Sequence, residues 1–260
     1  MKKFFVIGNP ISHSLSPVLH NFWIKKNKIN AVYDKIKLEE SELKDFINKL
    51  RNHEIHGINV TVPFKNKVIK YLDKLSLEVE TTDSVNTIYK NGDDIIGHNT
   101  DVAGFELGLR HSKIDVLHKS ILILGAGGVV PSIIYSLLSM GCKKIFLSNR
   151  TIEKAENIKK KFNEIEVLKW GKIPDFDIVI NATSVGLKGD SLDLDLKTKD
   201  KIYYDIIYNP KETQFLKKAK ENGNRIENGI FMFIYQANQS FSIWNNVIPK
   251  IDEEVLKILE

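Results

Sequence analysis

Cysteine is nearly absent: Cys142 is the only thiol in the chain, which excludes an intrachain disulfide and the usual thiolate zinc sites. No apolar run approaches the roughly 18 residues that mark a membrane span. The N-terminal stretch Phe4-Phe5-Val6-Ile7 ends at Gly8-Asn9-Pro10, too short for a secretory hydrophobic region. These absences lead to the expectation of a soluble, cytoplasmic globular protein that has no membrane partner and needs no metal. Arginine is scarce as well, only Arg51, Arg110, Arg150 and Arg225 among 38 basic residues. The net charge of +5 invites a polyanion-binding reading. Lysine, however, is a solvated point charge without the planar fork that reads bases and clamps phosphates. The lysines are scattered along amphipathic segments and read as solvated helix faces, so no nucleic-acid partner is expected.

What remains is ample core material, 42% hydrophobic residues in a chain of 260, enough for one large domain or two compact ones. Short apolar runs at residues 4–7, 31–36, 57–62, 85–89 and 95–96 read as strands. Residues 15–26, 40–50 and 65–72 read as helices; Leu43, Phe46, Ile47 and Leu50 form an i, i+3, i+4, i+7 stripe. Such alternation predicts a largely parallel sheet covered by helices. A second α/β block follows, with strands at 120–124, 144–148, 177–180 and 202–205 and a helix over 129–140. Residues 229–244 read as a helix and 247–259 as a closing helix. The amphipathic stretch 102–110 reads as a helix at the domain boundary and a hinge.

The clearest local signal is Gly125-Ala126-Gly127-Gly128-Val129-Val130 between a strand and a helix. There the first glycine permits the tight turn, and the second lets backbone approach a pyrophosphate at the helix N-terminus. Val130 replaces the third glycine of the usual pattern, so a tight turn without a ligand is the competing reading. NAD sites place Asp or Glu at the tip of the next strand. This chain instead has Ser148-Asn149-Arg150-Thr151, with Lys154 one turn later. Arg150 and Lys154, with the Thr151 hydroxyl, suit a dianionic phosphate and therefore NADP(H) over NAD(H). The plain alternative is an arginine that starts an exposed helix.

Polar motifs crowd the first half. Ser14-Leu15-Ser16-Pro17 opens a helix, Asn59-Val60-Thr61-Val62-Pro63-Phe64-Lys65 ends a strand, Val85-Asn86-Thr87 lies on another, and Asn99-Thr100-Asp101 precedes the boundary helix. Residues beyond the carboxyl ends of strands converge in α/β folds. Hydroxyls, an amide, a lysine and a carboxylate suit a polyhydroxylated acid, although each motif alone is also a cap or a turn.

Together with Asn181-Ala182-Thr183-Ser184, Asp205-Ile206-Ile207-Tyr208-Asn209-Pro210 and Gly229-Ile230-Phe231-Met232-Phe233-Ile234-Tyr235-Gln236, these segments resemble the shikimate dehydrogenase family along nearly the whole chain. The resemblance implies an α/β fold with an N-terminal substrate domain, a Rossmann-type doubly wound NADP-binding domain and a cleft between them. Residues 1–101, with helices 230–260 packing back, would form the first, and residues 102–229 the second. The implied activity is reversible NADPH-dependent reduction of 3-dehydroshikimate to shikimate on the chorismate route to aromatic amino acids, by a monomer or homodimer. By position, Lys65 and Asp101 match the catalytic pair. Ser14 and Ser16 match the substrate-carboxylate ligands, Thr61, Asn86 and Gln236 the ring-hydroxyl contacts, and Tyr208 a further substrate contact. Gly125, Ala126, Gly127, Gly128 and Val129 match the pyrophosphate turn, and Asn149, Arg150, Thr151 and Lys154 the adenosine phosphate site. Thr183 and Ser184 match contacts near the ribose, and Ile206, Gly229 and Met232 positions around the nicotinamide. Phe233, Phe241 and Trp244 read as packing.

Departures from the family pattern fall at Asp83-Ser84, where Gly-Ala is common and positive φ is expected, and at Val185, Asn228 and Phe231. The alternatives are a paralogue that uses NAD or oxidises quinate, which differs by an added hydroxyl, and a catalytically inert NADP-binding sensor. Retention of Lys65 and Asp101 argues against the sensor.

Overall fold

The computed structural model describes residues 1–259, so Glu260, the last residue of the expected first domain, lies outside them. The chain forms two compact units, Met1–Ala103 joined by the chain from Ile234 onward, and Gly104–Phe233. Among the described residues no helix is long and apolar enough to cross a membrane.

Unit 1 begins with β1 (Lys2–Gly8), α1 (Ser16–Lys26), β2 (Ala31–Lys37), α2 (Leu43–Arg51) and β3 (Gly57–Val60). It continues with β4 (Lys74–Leu75), α3 (Leu77–Thr82), β5 (Thr87–Asn91), β6 (Asp94–His98) and the start of α4 (Thr100–His111). The strands run β2-β1-β3-β5-β6-β4. This sheet is mixed where a largely parallel one was expected: β3–β5 and β5–β6 pair antiparallel. The two-residue turn Gly92-Asp93, whose glycine takes φ +61°, folds β5 and β6 into a hairpin and accounts for the second of these pairings.

The apolar stripe of α2 (Leu43, Phe46, Ile47, Leu50) packs with Ile7, Ile58, Val60, Ile88 and Ile95 of the sheet. An aromatic layer joins Phe4, His20, Trp23, Tyr33, Phe241 and Trp244. Phe4 stacks on Trp244 at 5.0 Å and His20 on Tyr33 at 4.1 Å. Phe241 and Trp244 thus pack as read from the sequence.

Residues 65–72, expected as a helix, make mainly i→i−3 bonds, with 3₁₀ geometry only at Ile69–Tyr71. β-branched Val68 and Ile69 weaken an α-helix there. The chain must also open at once to pair β4 with β6. The closing helix is likewise short, α9 (Glu253–Lys257), capped by Asp252. Upstream, the carbonyls of Pro249 and Lys250 accept bonds from Asn238 and Trp23, which holds that stretch non-helical.

Unit 2 comprises β7 (Ser120–Leu124), α5 (Val130–Ser139), β8 (Lys144–Ser148), α6 (Ile152–Lys159) and β9 (Glu166–Leu168). Then come β10 (Ile178–Asn181), β11 (Ile202–Asp205), α7 (Gln214–Glu221), β12 (Arg225–Glu227) and α8 (Ile230–Asn245), whose later turns belong to unit 1. The order β12-β11-β10-β7-β8-β9, parallel throughout, is that of a doubly wound dinucleotide fold. Alternate residues feed opposite layers: Ile121 and Ile123 enter one core cluster, Leu122 and Leu124 another. Both faces of the sheet are therefore buried, as continuous apolar strands require. Phe233 stacks on Tyr208 at 4.4 Å.

Candidate active site

In unit 1 the short segment after β3 and the first turn of α4 bring Lys65 and Asp101 into an ion pair, the side chains 13% and 8% exposed. The N–H of Asp101 is capped by Asn99 Oδ1 at 3.0 Å. Asn86 holds the second carboxylate oxygen. Its Oδ1 accepts from Thr100 N at 2.7 Å, which fixes the amide orientation and aims Nδ2 at Asp101 Oδ1, 3.0 Å away. The same Nδ2 lies 2.9 Å from Thr100 Oγ1 and 3.5 Å from Gln236 Oε1. Asn86, expected as a ring-hydroxyl contact, also clamps Asp101.

Behind it runs a buried polar chain that sequence reasoning left out of the site. Asn59 Nδ2 donates to Ser240 Oγ at 2.9 Å, and Ser240 meets Thr87 Oγ1 at 2.8 Å and Thr100 Oγ1 at 3.2 Å. Tyr33 OH donates to Asn59 Oδ1 at 2.7 Å, and the Ser16 hydroxyl bonds the same phenol. Burial holds the Tyr33 phenol well above its ordinary pKa, so it stays a neutral donor. Ser240 stands four residues after Gln236 on one helix face, which was the available signal. Ser14 Oγ accepts from Ser16 N at 3.3 Å, shaping the turn before α1, and Thr61 is half-buried. Ser14, Ser16, Thr61, Lys65, Asn86, Asp101 and Gln236 all belong to unit 1; Tyr208 belongs to unit 2. Asp83 caps α3 with φ +48°, the left-handed conformation expected there.

In unit 2, Leu124, Ser148, Asn181 and Asp205 stand level at the carboxyl edge of β7, β8, β10 and β11. Gly125 takes φ +108°, and a Cβ there would lie 2.8 Å from the Ala182 carbonyl oxygen. Around Gly128 the protein leaves open space. The N-cap of α5, Val129, gives no side-chain bond; Val130 N bonds the Gly127 carbonyl at 3.0 Å, and Pro131 occupies the first turn. Arg150, Thr151 and Lys154 are exposed. Asn149 Nδ2 bonds the Thr151 carbonyl at 2.7 Å and fixes the bend into α6. The Thr183 hydroxyl is spent inside its own loop, donating to Asn181 Oδ1 at 2.7 Å and accepting from Val185 N at 3.1 Å.

A Cβ on Gly229 would meet Ile206 O at 2.0 Å, so only glycine fits. Asn228 caps α8, its Oδ1 accepting from Ile230 N at 3.0 Å. Phe231 stacks on His111 at 3.7 Å, and Met232 is buried in the core cluster. Asp205 is fully buried; burial pushes its carboxyl up to about 6. Among the described residues no group of His, Cys, Asp and Glu side chains is arranged to hold a metal.

An ion pair clamped among hydroxyls in one unit, with an open glycine turn on a doubly wound sheet in the other, defines the class: a dinucleotide-dependent enzyme acting on a polar substrate. Comparison with known proteins narrows it. Residues 6–88 match the family model for the shikimate dehydrogenase substrate binding domain, and residues 108–187 the model for shikimate / quinate 5-dehydrogenase. A Pelagibacter ubique (strain HTCC1062) protein named shikimate dehydrogenase (NADP(+)) is 54% identical over 262 residues, spanning 100% of this chain and 99% of its own. The crystal structure of shikimate dehydrogenase from Aquifex aeolicus superposes with a TM-score of 0.91 at 37% identity, covering 100% and 98% of the two chains. That of the Thermus thermophilus shikimate 5-dehydrogenase, in complex with NADP(H) and shikimate, gives 0.89 at 28% identity over 96% and 95%. The chain belongs to the shikimate dehydrogenase family.

Proposed function

We infer that this chain catalyses the reversible NADPH-dependent reduction of 3-dehydroshikimate to shikimate, a step toward chorismate and the aromatic amino acids. The observation that carries the reading is the shielded Lys65–Asp101 pair, one carboxylate oxygen on the ammonium and the other on Asn86. When bound, NADPH supplies the hydride. Charge then develops on the ketone oxygen; an ammonium stabilises it and delivers a proton, and the reverse reaction returns the proton to the amine. Asp101 orients Lys65, and Asn86 orients Asp101.

Ser14 and Ser16 suit the substrate carboxylate, Thr61, Asn86 and Gln236 the ring hydroxyls, and Tyr208 a further substrate contact. Residues 125–129 suit the pyrophosphate. Arg150 and Lys154, with Asn149 and Thr151, suit the phosphate that distinguishes NADP from NAD. Thr183, Ser184, Ile206, Gly229 and Met232 frame the ribose and nicotinamide. A cytoplasmic protein without a nucleic-acid partner accords with the composition, and a monomer or homodimer is the assembly the reading carries.

Absorbance at 340 nm with shikimate or quinate, each with NADP+ or NAD+, tests the reading. Turnover is expected with shikimate and NADP+ at the highest kcat/KM. Faster quinate turnover, equal use of both cofactors, or no turnover at all overturns it.

A further inference from the structure

Asp205 is the buried carboxylate in unit 2 that the chemistry above leaves unused, and its surroundings give it a task. It lies at the end of β11, in register with Asn181 at the end of β10. Oδ1 accepts from Asn181 Nδ2 at 3.1 Å and from Ile207 N at 3.0 Å; Oδ2 accepts from Thr213 Oγ1 at 2.6 Å. Each donor belongs to a different segment. Asn181 in turn organises the loop after β10: its Oδ1 takes Thr183 N at 3.1 Å together with the Thr183 hydroxyl, and its Nδ2 also reaches Val185 O at 3.2 Å. Ile207 N fixes the loop after β11, and Thr213 caps α7 by accepting from Leu216 N at 3.4 Å.

These loops lean directly on the glycines of the dinucleotide site. The Ala182 carbonyl leaves no room for a side chain at Gly125, and the Ile206 carbonyl leaves none at Gly229. The loop after β10 also passes Thr213, where a Cβ on Gly186 would lie 3.0 Å from the threonine methyl. Asp205 therefore ties together the two loops against which the glycine turn and Gly229 are packed.

We propose that Asp205, with Asn181 and Thr213, is a positioning group for the cofactor: its carboxylate sets the spacing of the loops after β10 and β11 and thereby the shape of the dinucleotide site. The group touches no cofactor and moves no proton; it acts through the backbone it holds. This inference rests on the functional reading above.

The test is NADP+ affinity by calorimetry on the full chain, beside KM values for NADP+ and shikimate. Asp205→Ala strands three donors and is expected to raise the NADP+ Kd about tenfold, the scale of a lost charge-assisted hydrogen bond, with shikimate KM within about twofold of wild type. Asp205→Asn keeps an oxygen for Asn181 and Ile207 and turns its amide to Thr213, whose hydroxyl can accept, so affinity recovers to within about threefold. Thr213→Val removes the bond to Asp205 together with the weaker α7 cap and raises Kd about threefold, which decides the matter if Asp205→Ala does not fold. Unchanged NADP+ Kd in Asp205→Ala and Thr213→Val overturns the proposal. So does a parallel rise in both KM values, which is general loosening, or an Asp205→Asn protein as weak as Asp205→Ala, which makes charge rather than geometry the tie. Wild-type chain that binds NADP+ but leaves shikimate unchanged defeats the functional reading alone. Active wild type with unmoved variants defeats only this inference.

Discussion

The two units solve opposite problems. Unit 1 turns its polar groups on one another: Lys65, Asp101, Asn86, Thr100, Thr87, Ser240, Asn59 and Tyr33 form one buried hydrogen-bonded chain. Unit 2 has a buried polar knot of its own around Asp205, but it also sets groups outward: Arg150, Thr151 and Lys154 stand exposed, and a Cβ on Gly128 would meet nothing within 4 Å. The difference follows from the ligands' tasks. Proton transfer needs a group held at fixed geometry in shielded surroundings, where every neighbour must be satisfied. Holding a diphosphate and a further phosphate needs donors left unspent until the anion arrives.

The largest effect should come from breaking unit 1's pair. Asp101→Ala leaves Lys65 unpaired and Asn86 Nδ2 short of an acceptor; kcat at 340 nm is expected to fall about 10²–10⁴-fold with NADP+ Kd unchanged.

Next come two pH effects of opposite sign, one per unit. Burial holds His20 neutral, its pKa lowered to about 3, whereas the unfolded imidazole titrates near 6.5. Protons therefore favour the unfolded chain as pH falls below 6.5, costing about 2 kcal/mol by pH 5. Asp205, raised to about 6 from 3.8, behaves oppositely: the folded state binds the proton more tightly. Burying the ionised form costs about 3 kcal/mol above pH 6, a cost removed as pH falls toward 4. Urea unfolding at pH 4, pH 5 and pH 8 checks both. His20→Phe should lose less stability on acidification than wild type, and Asp205→Asn should gain over wild type at pH 8 and not at pH 4.

A smaller change is expected on the outward-facing side. Arg150→Ala should raise NADP+ KM about tenfold and leave NAD+ kinetics in place, the scale of one charge-assisted contact. Smallest of all, Asp83→Gly relieves a left-handed cap at φ +48° and should stabilise unit 1 by about 1 kcal/mol in urea unfolding.

The same contrast explains what the sequence disclosed. Unit 2's strands at 120–124, 144–148 and 202–205 were legible because a doubly wound sheet buries both faces and writes continuous apolar runs. The glycine turn is local backbone geometry, readable from a few consecutive residues. Lys65 and Asp101 were legible only through their motifs. Ser240 and Tyr33 were not, since their partners lie up to 181 residues away and nothing local distinguishes a buried relay from a cap. Two misses had signals in plain view. Gly92-Asp93 between apolar runs spells a hairpin, and Asp252-Glu253-Glu254 after Pro249 spells a late helix start. The role of Asp205 needed three contacts from three segments, which no periodicity encodes.

The division of labour is tested most directly by measuring two quantities on one preparation of Lys65→Met. These are NADP+ affinity and the single-turnover rate of hydride transfer from shikimate, followed at 340 nm. The account predicts transfer slowed about 10³-fold or more with affinity within about twofold of wild type. Transfer near the wild-type rate, or affinity falling as far as the rate, would contradict it.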